Sequence, residues 1–155
     1  MRIIGSAHKN MVDKMATNNI VVAGIIFHAG KVLILRRSID EDIFPGMWEL
    51  PSGKKKASEN ITDCLFREIL EETGLMIKII QLVSFFEYKI TRDKRITESI
   101  QINYLAEPVN FKEVIKLSEE HQKFAWVGKR EIKKYNLSAE TRSVVSQAFA
   151  VVPKK

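Results

Sequence analysis

The stretch GKKKASENITDCLFREILEETGL, Gly53 to Leu75, carries three carboxylates near its end, Glu68, Glu71 and Glu72, spaced i, i+3, i+4. On a helix such side chains are neighbours, about 5–6 Å apart between Cβ atoms, and their like charges oppose helix formation. Three clustered carboxylates call for a cation. The helix ends are legible: Asn60 suits an N-cap, Asp63 favours the positive N-terminus, and Gly74 suits the left-handed position after the last turn, so the helix is expected from Ile61 to Thr73. At about 100° per residue, Leu65, Phe66, Ile69 and Leu70 fall on one broad side for the core, and the three glutamates fall on another. Taken alone, E-x-x-E-E is most simply a solvated acidic face, with Arg67 and Glu71 as a surface ion pair.

Upstream, NIVVAGIIF, the turn-like HAGK and VLILRR read as a β-hairpin rich in β-branched residues. SIDEDIFPG is a loop broken by Pro45 and Gly46, and MWELP is a short strand ended by Pro51. Downstream, IKIIQLVSFFEYKI and ESIQINYLAEP flank the polar turn TRDKRIT and form a second hairpin. A loop, VNFKEVIKLSEEHQ, leads to a last strand, KFAWV, and Ser138 caps a closing amphipathic helix with Val144, Val145, Ala148 and Phe149 at helical spacing. Strands interleaved with helices give an α/β fold, and the hairpins require a mixed sheet. Residues 1–17 show no clear period and are expected to form an arm, with one domain over 18–153.

Composition sets wide bounds. The 155 residues, 45% hydrophobic and 28% charged, suit one soluble domain. No apolar run approaches the ~20 residues of a membrane span, and the N-terminus lacks the order of a signal peptide. Cys64, the single cysteine, excludes an intramolecular disulfide and a cysteine-based zinc cluster, in keeping with a reducing, cytoplasmic setting. A net charge of +6 suits anionic partners without choosing among them.

What decides the function is the order around the carboxylates: a glycine, five residues, a glutamate, seven residues, then Arg-Glu-aliphatic-x-Glu-Glu-x-Gly-aliphatic. Gly53, Glu59, Arg67, Glu68, Ile69, Glu71, Glu72, Gly74 and Leu75 fill it. At average residue frequencies a chance match at the fixed positions is on the order of one in a hundred million windows. The segment resembles the Nudix box, and MWELPSGK resembles the strand and loop that lead into it.

The resemblance implies a Nudix fold, an α/β/α sandwich with a mixed sheet, and a hydrolase that splits a nucleoside diphosphate linked to another group. It also implies Mg²⁺ or Mn²⁺, which agrees with oxygen-only ligands. Carried over position by position, Glu68, Glu71 and Glu72 become metal ligands, Glu72 foremost, joined by the backbone carbonyl of Ser52, where many members have glycine. Separation of the three glutamates, or their turning into the core, would rule that site out. Arg67 orients a box carboxylate; Glu59 is a ligand, a base or, by preference, a supporting partner of Arg67; Glu119 and Glu120 in the late loop are either the general base or exposed acids, with His121 beside them either a base or a surface residue. Lys54, Lys55 and Lys56 are a solvated run or an attraction for polyphosphate.

For substrate, the lack of proline near Ile90 disfavours ADP-ribose, Tyr88 is out of register for dinucleoside polyphosphates, and ELPSG lacks the cysteine of isopentenyl diphosphate isomerases. MutT-like nucleoside triphosphate pyrophosphohydrolases remain, with Arg36 and Arg37 as phosphate contacts and Phe44, Trp48, Leu50 and Asn103 either framing or hydrogen-bonding a base or serving as core or surface residues. One of the two arginines is expected to face solvent, and Trp126 to belong to the core. Triphosphate-ended RNA is a rival substrate, but no basic stripe interleaved with aromatics supports nucleic-acid binding. A catalytically dead binding module is a second rival, at odds with an intact box. Dimerisation is left open.

Overall fold

The computed structural model describes residues 16–111 and 114–154. Among these residues the chain runs through β1 (Ala16–His28), β2 (Lys31–Arg37), β3 (Trp48–Glu49), β4 (Ser52–Lys54), α1 (Ile61–Thr73), β5 (Ile77–Arg92), β6 (Arg95–Pro108), β7 (His121–Gly128), a 3-10 turn (Ile132–Lys134) and α2 (Ala139–Val151). Strand β1 begins inside the segment expected to be an arm, and residues 1–15 of that arm lie outside the described residues.

Both hairpins close through two-residue turns in which both residues have positive φ. They are Ala29 and Gly30, at 47° and 76°, and Asp93 and Lys94, at 47° and 62°. Such turns match the twist of the paired strands, and they let β5 and β6 run further than the apolar pattern suggests.

Strand β1 is central. It runs parallel to β6 from Ala16 to Ile26, while its other edge pairs antiparallel first with β4 at Val21–Ala23 and then with β2 at Phe27–His28. Strand β5 lies antiparallel on β6, and β3 and β7 lie antiparallel on β2, so the sheet is mixed.

Alternate residues of β1 and β2 point to opposite faces. Val22, Ile26, Leu33 and Leu35 pack with Leu65 and Ile69 of α1. Ala23, Ile25, Val32 and Ile34 pack with Val144, Val145 and Ala148 of α2. One helix on each face is the expected α/β/α sandwich, and burial on both faces explains why these strands read as continuous apolar runs. At Gly24 an added Cβ would stand 2.5 Å from Ile69 Cδ1, so α1 seats directly on the β1 backbone.

Helix α1 has the expected ends: Asn60 accepts from the Asp63 N–H at 2.8 Å, and Gly74 has φ 74°. Its rotation differs from the expectation. The buried face is Cys64, Leu65, Ile69, Glu72 and Thr73, whereas Phe66 and Leu70 are 41% and 52% exposed. In this rotation Leu65 and Ile69 seat on β1, while Glu68 and Glu72 meet β4, a strand the sequence pattern did not suggest, at Gly53 and Ser52.

Candidate active site

Strand β4 and helix α1 meet at Gly53. A side chain there would overlap the carboxylate of Glu68, so only glycine leaves Glu68 its place. Next to it, the Ser52 N–H donates to Glu72 Oε2 at 3.0 Å. The loop before the helix and the helix's own carboxylates are thus fixed to one another.

Arg67 organises the acids around it. Its Nε and Nη2 donate to the two oxygens of Glu59 at 2.9 and 2.6 Å, its Nη1 donates to Glu68 Oε1 at 2.6 Å and Glu71 Oε2 at 3.3 Å, and Nη2 also reaches the Lys54 carbonyl at 3.2 Å. Bidentate pairing of this kind fixes direction as well as charge. Hydrogen bonds from Arg67 and from the Lys56 N–H hold the Glu59 carboxyl down to about 2, and bonding to Glu59 above all raises the guanidinium pKa.

Burial acts oppositely on the inner pair. It raises Glu68, partly offset by Arg67. It raises Glu72 well above the usual carboxylate range, reinforced by the like charges of Glu49, Glu68 and Glu120 and opposed by the Ser52 N–H. Burial, then the charge of Glu59, pushes the Cys64 thiol up to about 11, and the side chain is packed under the loop.

Glu49, Glu68, Glu72 and Glu120 line one cavity of about 910 Å³, together with Arg37, Lys54, Phe44, Trp48, Phe86 and Tyr88. Glu72 is only 5% exposed, yet its carboxylate belongs to this cavity wall and not to the apolar core. Glu71 stands outside the lining: its side chain is 55% exposed and it shares Arg67 Nη1 with Glu68. Among the described residues no three side chains form a ready-made metal cluster. The donor set nevertheless fits a hard divalent cation, because mutually repelling carboxylates, one of them nearly buried, face a shared space with oxygen ligands only.

The other expected contacts divide. Arg37 lines the cavity, donating to the Ile43 carbonyl at 2.8 Å, Glu49 at 3.1 Å and Glu41 at 3.2 Å. Arg36 does not line it; its Nε holds the Gly46 carbonyl at 3.1 Å and so braces the loop. Trp48 lines the cavity edge-on to Tyr135, with ring centroids 4.9 Å apart, and Leu50 is a core residue that also borders it. Glu120 faces the cavity while Glu119 is exposed outside it. Asn103 is fully buried and outside the lining, which fits the packing role of its two expected ones and not the base contact; Gln101, two residues earlier on the same side of β6, lines the cavity.

Sequence reasoning overlooked Glu49. Its Oε1 accepts from Arg37 and lies 2.8 Å from Nε2 of His121, whose side chain is wholly buried and so is no surface histidine. The available signal was a charged residue between Trp48 and Leu50 in a strand otherwise apolar.

The NUDIX domain model matches residues 17–148. The chain belongs to the Nudix family. A nucleoside triphosphatase NudI of Klebsiella pneumoniae (strain 342) is 31% identical over 132 residues, 82% of this chain and 94% of the relative. The NudI of Escherichia coli O139:H28 is 28% identical over 130 residues, 81% of this chain and 92% of the relative. A MutT protein from Methanosarcina mazei Go1 superposes with a TM-score of 0.75 at 27% identity, covering 90% of this chain and 98% of that one. This Nudix protein is therefore a MutT-like pyrophosphohydrolase. Divalent metal use is general in the family, and no helix among the described residues is long and apolar enough to cross a membrane.

Proposed function

We propose that this Nudix enzyme hydrolyses a nucleoside triphosphate to the monophosphate and pyrophosphate, in the cytoplasm, with Mg²⁺ or Mn²⁺. The observation that carries the reading is one cavity holding both a carboxylate cluster, Glu49, Glu68, Glu72 and Glu120, and the aromatic surfaces of Phe44, Trp48 and Phe86. A nucleotide needs both kinds of surface. The nucleoside triphosphatase NudI relatives support the substrate class.

In this reading Glu72 and Glu68 would hold the metal, with Glu71 and the Ser52 carbonyl as further ligands. The metal, when bound, offsets phosphate charge and acidifies water. Arg37 and Lys54 attract the phosphates. Glu120 takes the proton of the attacking water, whose oxygen bonds to phosphorus as the phosphoanhydride bond breaks, and Arg67 keeps Glu59 and Glu68 in place.

The test is release of pyrophosphate or phosphate, with Mg²⁺ and with EDTA, from ordinary and oxidised nucleoside triphosphates, ADP-ribose, dinucleoside polyphosphates and triphosphate-ended RNA. Metal-dependent turnover favouring a nucleoside triphosphate and lost in Glu72→Gln is expected. A better substrate among the other three would replace the triphosphate reading.

A further inference from the structure

Gln101 on the cavity wall and the buried Asn103 behind it on β6 are oriented by their hydrogen bonds. The Ser84 carbonyl oxygen can only accept, so the Asn103 amide turns Nδ2 toward it, at 3.4 Å, and Oδ1 away. Asn103 Oδ1 in turn accepts from Gln101 Nε2 at 2.8 Å. The Ser84 carbonyl thereby orients the Asn103 amide, and Asn103 orients that of Gln101. Gln101 Oε1 is left without a protein partner among the described residues, on a side chain that lines the cavity.

Sheet register gives its distance from the acids. Lys54, Val21, Gln101 and Phe86 are successive partners across β4, β1, β6 and β5, and all four line the cavity. With about 4.8 Å between strands, Gln101 stands roughly 10 Å from Lys54. That matches the span from the phosphates of a nucleotide to the edge of its base. Phe86 beside it offers a flat apolar face for stacking.

We propose that Gln101 sets base specificity: its amide oxygen accepts a hydrogen bond from an exocyclic amino group of the nucleobase, the N–H donor that projects furthest from the ring. The enzyme therefore prefers amino-bearing nucleoside triphosphates to their deamino counterparts. This rests on the nucleoside triphosphatase reading above and adds the base edge that the site reads.

The experiment compares kcat/KM for GTP against ITP, ATP against purine riboside triphosphate, and CTP against UTP. Wild type should favour the amino form roughly tenfold in at least one pair, since a site built around a hydrogen bond rejects the analogue that lacks it. Gln101→Met, of similar length but without the acceptor, should bring that ratio near one while still turning over the deamino nucleotide. An equal loss across all nucleotides in Gln101→Met, an unchanged ratio, or no preference in any pair by the wild type would overturn this inference alone. No wild-type turnover on any nucleoside triphosphate would overturn the proposed function and this inference with it.

Discussion

The carboxylate of Glu68 occupies the space that a side chain at position 53 would fill. The atoms in conflict are the far end of a flexible side chain, so Gly53→Ala is expected to fold, with Glu68 swung away from Arg67 and from the cavity. Stability should fall by about 1 kcal/mol and kcat at least tenfold, of the order that displaced catalytic groups cost. Thermal denaturation alongside steady-state kinetics separates the two effects.

Much of this arrangement was legible because it is local. Asn60, Asp63 and Gly74 mark the ends of α1 through interactions within a few residues, and the box places Arg67, Glu68, Glu71 and Glu72 on one segment. What failed depends on chain that is distant in sequence. The rotation of α1 goes with its contacts to β1 and to β4, a three-residue strand whose pairing with β1 no local pattern encodes. Asn103 and Gln101 share a face of β6, and only the packing of the sheet decides which of them is covered. Glu49 and His121 lie 72 residues apart and meet only because β3 and β7 both pair with β2.

Glu72 makes the metal-free protein sensitive to pH. Its folded pKa is raised, so its favourable contribution is complete below the unfolded value near 4.5 and is lost as pH rises through the folded value. In EDTA, Glu72→Gln should therefore be more stable than wild type near neutral pH, with a flatter pH dependence. Mg²⁺ should raise the melting temperature of the wild type and not of the variant. Activity should fall at least roughly a hundredfold.

Glu59 has the opposite sign. With its carboxyl held down to about 2 by Arg67, it stabilises the fold above the unfolded value near 4.5, and that contribution disappears as pH falls through about 2. Glu59→Gln should be less stable than wild type near neutral pH and indistinguishable from it at the acid extreme, as read by urea denaturation across this range.

Cys64 should be inert in the folded enzyme. Its side chain is buried and its thiol is pushed up to about 11, so little thiolate exists at neutral pH and none of it is accessible. Labelling by a thiol reagent should follow global unfolding, accelerating in denaturant in step with loss of secondary structure. Rapid labelling of the native enzyme would contradict the packing of the loop over α1.

Glu49 raises the pKa of Glu72 by charge and is itself held by Arg37 and His121. Removing that charge in Glu49→Gln should let Glu72 ionise at lower pH. Metal binding requires the deprotonated carboxylate, so the pH at which Mg²⁺ begins to bind should move down even as the limiting affinity weakens through loss of one anion. His121→Ala leaves the Glu49 charge present but held by Arg37 alone, so kcat should fall about tenfold, a typical cost for losing a supporting hydrogen bond. The onset pH for metal should stay nearer the wild-type value than in Glu49→Gln. Calorimetric Mg²⁺ titrations of the three proteins between about pH 5 and 8 distinguish loss of charge from loss of position. Equal onset in all of them would remove Glu49 from the electrostatics of the site.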